Sequence, residues 1–127
     1  LGICLGAQLL LRSSEEGLSS GLGIIPGQCK KFDKTKISTR KIPNMGWMDI
    51  KISKKSYIFE NLDFDPRFYF VHSYHFILDD KTDMLCSANY GYKFCAGFQR
   101  NNIIGVQFHP EKSHKYGMRI MTNFLKN

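Results

Sequence analysis

The chain has 127 residues, of which 43% are hydrophobic, so it can bury one modest core but not the cores of two domains. Its apolar runs fall far short of the ~18 residues of a membrane span, so we expect a soluble chain with no membrane partner. The formal charge of +7 is densest at residues 30–41, where Phe32 is the only aromatic residue; this composition favours a solvated hairpin over a nucleic-acid partner.

In the first part of the chain, short apolar segments alternate with turn signals. Residues 1–4 are predicted to end a buried strand, and residues 7–12, which are rich in helix formers, to form a helix that stops at residues 13–17. Residues 26–27 (Pro-Gly) mark a turn between two apolar runs. Residues 42–52 contain proline, asparagine and glycine and are predicted to be irregular. Because the chain opens inside a buried strand, we expect an N-terminal part of the fold to lie upstream.

In the second part, β-branched and aromatic residues are enriched. Residues 68–76 are predicted to form one continuous strand. Three further strands are predicted at residues 84–90, 94–99 and 103–108. Apolar side chains at helical spacing in residues 116–125 predict a C-terminal helix.

The four cysteines show neither a C-x-x-C pair nor the Cys/His spacing of a zinc site; they are Cys4, Cys29, Cys86 and Cys95. No secretory signal is visible at the start of the sequence. We therefore expect reduced thiols in a cytoplasmic protein, with no metal and no cofactor.

Cys4 lies between two glycines in the pattern G-x-C-x-G at residues 2–6. This pattern is typical of a sharp turn from a strand into a helix, which holds a nucleophile up between them. We expect the helix N-terminus to favour the thiolate and the backbone N–H of Leu5 to serve as an oxyanion donor. On its own, the pattern fits a buried structural cysteine better.

His109 follows the last predicted strand and precedes Pro110, which ends the strand, so its ring is expected to project from the sheet edge. Glu111 is near enough to accept a hydrogen bond from one ring nitrogen and fix the tautomer. An isolated His-Pro-Glu is more often an ordinary loop, but a strand-end Cys and a strand-end His meet at one edge of a parallel α/β sheet. The other histidines lack metal-site spacing and are interpreted as structural or pocket-lining: His72, His75 and His114.

Residues 2–8 (GICLGAQ) and 107–111 (QFHPE) together resemble the class I (triad) glutamine amidotransferases. Within that family, further segments resemble the HisH proteins, the glutaminase subunits of imidazole glycerol phosphate synthase. These segments are residues 13–17, 21–27, 43–47, 69–74 and 111–113. The resemblance runs from end to end and implies a flavodoxin-like α/β fold, with residues 1–127 as roughly the C-terminal two-thirds of one glutamine amidotransferase type-1 domain.

The resemblance also implies the roles of the site residues. Cys4 would be the nucleophile that attacks L-glutamine, His109 the general base and acid, and Glu111 the residue that orients His109. The implied glutamine pocket includes Gln8, Ser73 and Tyr74. The implied partner interface comprises Asn44, Met45, Gly46, Trp47, Tyr69, His72 and Lys112.

The partner implied by the resemblance is a HisF-type cyclase in a heterodimer, which would use the ammonia to make imidazole glycerol phosphate and aminoimidazole carboxamide ribotide in histidine biosynthesis. The family's segment with a second oxyanion donor precedes Cys4 and is absent from this sequence, and Asn44 stands where HisH proteins usually have histidine.

Other functions stay open at this point. One alternative is a HisH-like paralogue that supplies ammonia for amidation of a bacterial surface sugar, which residues 113–117 resemble more closely. An unrelated cysteine hydrolase is disfavoured by Gln8 and residues 71–74. A non-enzymatic interaction module is disfavoured because all three residues of the triad are present.

Overall fold

The computed structural model describes residues 1–63 and 65–127. The strands are β1 Gly2–Ile3, β2 Ser13–Ser14, β3 Gly27–Lys31, β4 Asn44–Asp49, β5 Lys51–Ile52, β6 Arg67–His72, β7 Tyr74–Leu78, β8 Met84–Asn89, β9 Lys93–Arg100 and β10 Ile103–Val106. The α-helices are α1 Leu5–Gln8 and α2 His114–Lys126, and single 3₁₀ turns occur at Tyr57–Phe59, Lys81–Asp83 and Pro110–Lys112.

The fold is a mixed α/β fold with a curled sheet, consistent with the predicted flavodoxin-like class. One sheet has the strand order β1-β10-β9-β7-β3-β2, with β8 joining β9 to β5, and a second sheet consists of β4 and β6. Strands β1 and β10 run parallel, with Ile3 opposite Val106. Because parallel strands end at the same edge, the residues after β1 and after β10 lie near each other.

Two secondary-structure predictions were wrong. Residues 68–76 form two strands in different sheets, β6 and β7, which are interrupted at Ser73; the Ser73 carbonyl accepts a hydrogen bond from Phe32 instead of a ladder partner. Residues 42–52, predicted to be irregular, contain β4, which pairs antiparallel with β6 along its whole length. Residue propensities predicted neither the break at Ser73 nor strand β4, because tertiary context decides which strands pair.

The first helix is shorter than the predicted span of residues 7–12. Helix α1 ends at Gln8, and the N–H groups of Leu10 and Leu11 bond to carbonyls three residues back, those of Ala7 and Gln8. This tighter geometry is a 3₁₀-type turn rather than a further α-turn.

The core that supports the strand ends is aromatic. Phe68 of β6 stacks on Phe108, just after β10, with ring centroids 4.1 Å apart, and both rings are fully buried. Phe70 meets Phe108 edge to face at 5.7 Å. The contact holds β6 against the end of β10, where His109 follows.

All four cysteines are free thiols. Cys29, Cys86 and Cys95 are buried in the core, whereas Cys4 is partly exposed. Among the described residues, no helix is both long and apolar enough to cross a membrane.

Candidate active site

Cys4 lies in a strained turn between β1 and α1. Its φ is 49°, in the left-handed region that non-glycine residues rarely adopt, and its N–H donates to the Val106 carbonyl at 2.8 Å. A Cβ atom on Gly2 would lie 2.8 Å from Cα of Ala7, so the turn requires glycine at position 2. At Gly6 no described atom lies within 4 Å of an added Cβ, so a close approach does not explain that glycine.

The sulfur of Cys4 is surrounded by polar groups from distant parts of the chain. Its Sγ lies 3.5 Å from Nε2 of Gln107 and 3.9 Å from the carbonyl oxygen of Val71. Gln107 is fully buried, and its Oε1 accepts a hydrogen bond from Nε2 of Gln8 at 3.3 Å. In the sequence, Gln107 belongs to the motif at residues 107–111, but nothing local in that motif predicts a contact with Cys4.

Burial raises the pKa of the Cys4 thiol above its ordinary value, while hydrogen bonds from the backbone N–H of Leu5 and the side chain of Gln107 act in the opposite direction. The carboxylates of Glu111 and Glu16 also raise it. The expected contribution of the helix N-terminus has the predicted sign, since the Leu5 N–H lowers this pKa, but burial outweighs it. Helix α1 has only four residues, and desolvation of the thiolate outweighs the donors that face it.

His109 is oriented by hydrogen bonds on both its backbone and its ring. Its N–H donates to the Tyr69 carbonyl at 2.9 Å, and Nδ1 lies 2.5 Å from Oε1 of Glu111. Its Nε2 is buried and has no hydrogen-bond partner among the described residues. With the proton on Nδ1 and donated to the carboxylate, Nε2 carries a free lone pair, as a general base requires.

Strand β6 supports both Cys4 and His109. The carbonyl of Tyr69 accepts from the His109 backbone, and the carbonyl of Val71, two positions further, faces the Cys4 sulfur. Strand β10 also supports both residues, because Val106 accepts from the Cys4 N–H and His109 follows the strand. The fold thus brings the two ends of the chain to one site, beside Glu111.

A cavity of about 300 Å³ opens beside this turn. Its walls include Leu5, Gln8 and Glu16, together with residues 17–21. Glu16 was not identified from the sequence as a functional residue, although an acidic pair follows the nucleophile turn at residues 15–16. Of the predicted glutamine-pocket residues, Gln8 lines this cavity, whereas Ser73 and Tyr74 do not.

The family model for glutamine amidotransferase class-I matches residues 1–127. The chain belongs to the class I glutamine amidotransferase family. The sequence is 51% identical over 127 residues to the imidazole glycerol phosphate synthase subunit HisH 2 of Methanococcus maripaludis, covering 99% of this chain and 61% of the relative. It is 48% identical over 126 residues to subunit HisH of Leptospira borgpetersenii, covering 98% and 61%. The chain thus spans about three-fifths of the length of these relatives.

A solved structure has a similar fold at lower sequence identity. The fold superposes with a TM-score of 0.69 on a putative GMP synthase subunit protein from Thermoplasma acidophilum, at 25% sequence identity. The match covers 98% of this chain and 54% of that protein. This similarity agrees with the mixed α/β fold of a class I amidotransferase.

The predicted partner interface is only partly at the surface. Asn44 and His72 are buried, and Nδ2 of Asn44 lies 3.0 Å from Nε2 of His72. Nδ1 of His72 lies 2.8 Å from the Tyr74 carbonyl, and burial lowers the pKa of His72 to about 4. The neutral ring thus donates from Nδ1 and accepts at Nε2, so in this structure both side chains face inward.

The exposed members of the predicted interface form a patch around Trp47. Met45 is 62% exposed and Trp47 40% exposed. The Trp47 ring lies 6.2 Å from the ring of Tyr69 and 5.4 Å from that of His114, and Nζ of Lys112 lies 6.0 Å from the Tyr69 ring. We call these five residues the Trp47 patch; His114 is the one member that was not predicted to lie in the interface.

Among the described residues, no group of three or more His, Cys, Asp or Glu side chains could hold a metal ion.

Proposed function

We propose that residues 1–127 form the catalytic part of a glutaminase subunit that hydrolyses L-glutamine to glutamate and ammonia through Cys4, His109 and Glu111. The observation that carries this proposal is the hydrogen bonding of the His109 ring. Its Nδ1 is engaged by Glu111 while its buried Nε2 has no partner among the described residues. A thiol whose pKa is raised by burial needs such a base to become a nucleophile at neutral pH.

The chemistry proceeds in two stages. As the Cys4 sulfur bonds to the carboxamide carbon, Nε2 of His109 takes the thiol proton and the carbonyl oxygen gains negative charge. The N–H of Leu5 forms a hydrogen bond with the Cys4 sulfur that lowers its pKa. This N–H is therefore positioned to donate to the substrate oxygen as it becomes negative. His109 then returns the proton to nitrogen as the C–N bond breaks, which releases ammonia and leaves a thioester.

Water completes the reaction. His109 removes a proton from the water that attacks the thioester carbon, and the proton returns to the departing Cys4 sulfur as glutamate leaves. Throughout, Glu111 keeps Nδ1 as the donor and stabilises the positive charge that the ring acquires.

The cavity lined by Leu5, Gln8 and Glu16 suits an amino-acid substrate. Its volume of about 300 Å³ is at the lower end of the range for small-molecule pockets. The carboxylate of Glu16 on its wall suits the substrate's α-ammonium group, and the amide of Gln8 offers polar contacts for the rest of the molecule. Leu5 and Gln8, which lie one and four positions after Cys4 in the chain, line the same cavity as Glu16, so a substrate held by Glu16 would lie on the side of the cavity wall that leads to the nucleophile turn.

The ammonia would pass to a HisF-type cyclase in a cytoplasmic heterodimer that serves histidine biosynthesis. Two observations support this partner. The similar proteins from Methanococcus maripaludis and Leptospira borgpetersenii are named as subunits of imidazole glycerol phosphate synthase. The Trp47 patch exposes aromatic and methionine side chains, the types enriched at the centres of protein interfaces.

The test uses the full-length protein with its cyclase, assayed for glutamate release and for imidazole glycerol phosphate. Cys4→Ala and His109→Ala should each lower glutamate release by several orders of magnitude, whereas the control Cys29→Ala, which removes a buried core thiol, should retain it. A diazo-ketone analogue of glutamine should label Cys4 alone.

Label on another cysteine, or full turnover by Cys4→Ala, would overturn the triad assignment. Normal glutamate release without imidazole glycerol phosphate, but with amidation by a sugar synthase, would instead assign the surface-sugar pathway.

A further inference from the structure

Gln107 is a polar residue in an apolar setting. It lies directly after β10, between Val106 and Phe108, and all three residues are fully buried. Its backbone N–H donates to the Ala96 carbonyl at 2.9 Å, so the backbone is satisfied without the side chain. A buried amide side chain is costly unless its donor and acceptor both find partners.

Both ends of the Gln107 amide are engaged. Its Nε2 donates to Sγ of Cys4 at 3.5 Å, and its Oε1 accepts from Nε2 of Gln8 at 3.3 Å. Because Gln8 holds the oxygen, the nitrogen is directed towards the sulfur. The three side chains form a continuous connection from the wall of the cavity to the nucleophile.

We infer that Gln107 is a positioning residue for Cys4, which holds the sulfur in place and stabilises its thiolate through the amide N–H. This inference rests on the proposed function, in which Cys4 is the nucleophile. The effect of Gln107 on the Cys4 pKa is a lowering, opposite to that of burial. A donor from outside the triad leaves Nε2 of His109 free for proton transfer, so positioning and general-base catalysis are separated between two residues.

The connection also gives Gln8 a second role. Gln8 lines the cavity and fixes the orientation of Gln107. Gln8 is hydrogen-bonded to Gln107, which in turn donates to the Cys4 sulfur. A substrate that contacts Gln8 would therefore affect the position and ionisation of Cys4.

The inference is tested by the pH dependence of Cys4 alkylation with iodoacetamide, in the full-length protein without glutamine. Gln107→Leu removes the donor, and Gln107→Glu keeps the shape but places a carboxylate beside the sulfur. Both variants should shift the alkylation midpoint to higher pH and slow alkylation at neutral pH by roughly tenfold or more. In the glutaminase assay kcat should fall by a larger factor than KM for glutamine rises.

Asn123→Leu is the matched control. Asn123 is also a buried amide, and it donates to the carbonyls of Ile58 and Glu60, away from Cys4. This variant should lower the melting temperature but leave the alkylation midpoint unchanged. A purely structural role for Gln107 would give its variants the same result as Asn123→Leu, which would overturn the inference.

An NMR measurement on the unsubstituted protein tests the inference even if the Gln107 variants fail to fold. The side-chain N–H resonances of Gln107 should shift with pH at the midpoint of Cys4 alkylation, and this titration should vanish in Cys4→Ala. Resonances that do not respond to Cys4 ionisation would contradict the inference. The alkylation and NMR results are independent of glutamine turnover, so the positioning role can fail while the glutaminase function stands, and the reverse.

Discussion

His109 Nδ1 lies 2.5 Å from Oε1 of Glu111 across a single proline. Pro110 begins the 3₁₀ turn that contains Glu111, and the buried Ser113 closes this turn. The Ser113 hydroxyl donates to the His109 carbonyl at 2.6 Å and accepts from the N–H of Tyr69 at 2.9 Å. The histidine–carboxylate pair is therefore fixed both locally and to β6, which also faces Cys4.

Replacing the carboxylate of Glu111 should slow catalysis without weakening the binding of glutamine. Glu111→Gln keeps the size of the side chain but cannot stabilise a positively charged His109 ring, so kcat should fall by roughly 10²- to 10⁴-fold with KM nearly unchanged. Steady-state glutaminase assays of the full-length protein check this. A KM effect with unchanged kcat would place Glu111 in substrate binding instead.

The two glycines that flank Cys4 should respond differently to alanine. In Gly2→Ala the new Cβ would lie 2.8 Å from Cα of Ala7, which must displace the turn that carries Cys4. A displacement of this kind should lower kcat by about tenfold to a hundredfold. Gly6→Ala is the control, because no described atom lies within 4 Å of its Cβ, and it should stay close to wild type. Equal effects of the two substitutions would contradict the argument from close approach.

The Trp47 patch should contribute to partner affinity. Trp47→Ala should weaken binding of the cyclase by about 2 kcal/mol, because it removes the largest exposed aromatic ring of the patch while leaving Cys4, His109 and Glu111 in place. Ile77→Ala serves as the control, since Ile77 lies on β7 and is exposed to a similar extent, 38% against 40%. Calorimetric titration with the cyclase measures both, and equal losses would remove the patch from the interface.

Asn44 should be sensitive to a change of size although it lies in a predicted interface segment. It is 2% exposed and its Nδ2 contacts His72 and Met48. Asn44→His should therefore destabilise the fold by about 1–3 kcal/mol through overpacking. Met45→His, the same replacement at the exposed neighbouring position, should leave stability nearly unchanged. Urea unfolding of both variants checks this, and equal stability would mean that the site around residue 44 can expand.

His72 should make the protein less stable in mild acid. Burial lowers its folded-state pKa from 6.5 to about 4, so between these values the unfolded chain binds a proton that the folded chain does not. The contribution to stability is complete above pH 6.5 and is lost as the pH falls towards 4, a loss of roughly 3 kcal/mol. His72→Gln should flatten this part of a pH series of urea unfolding curves. An unchanged slope would assign the acid sensitivity to other groups.

Cys4, His109 and Glu111 could be proposed from the sequence because two short motifs, each with a local physical reason, occur in the same chain and together resemble the family pattern. A nucleophile turn needs glycine where the backbone passes close to itself, which holds at Gly2, and a proline after a strand directs the preceding side chain out of the sheet. The roles of Gln107 and Ser113 could not be deduced in this way. Their partners lie far away in the chain, Cys4 for one and Tyr69 for the other.

Sequence patterns alone do not predict how the strands pair or which face of a strand is buried. The aromatic run at residues 68–76 has strong β-propensity on both sides of Ser73, so nothing local indicates that β6 and β7 join different sheets. In the same way, Asn44 and Met45 are adjacent polar and apolar residues, yet the polar one is buried and the apolar one exposed. Which face of β4 turns inward is decided by its register with β6.

The sequence by itself determined the family and the α/β class, and it pointed to Cys4, His109 and Glu111 as the proposed reacting side chains, because each motif depends on residue types at short spacings. Only the tertiary structure decided that burial raises the pKa of the Cys4 thiol, that Gln107 faces it, and that Asn44 and His72 lie inside. These properties come from desolvation and from contacts between residues far apart in the chain, and both are set by how β1, β6 and β10 pack together.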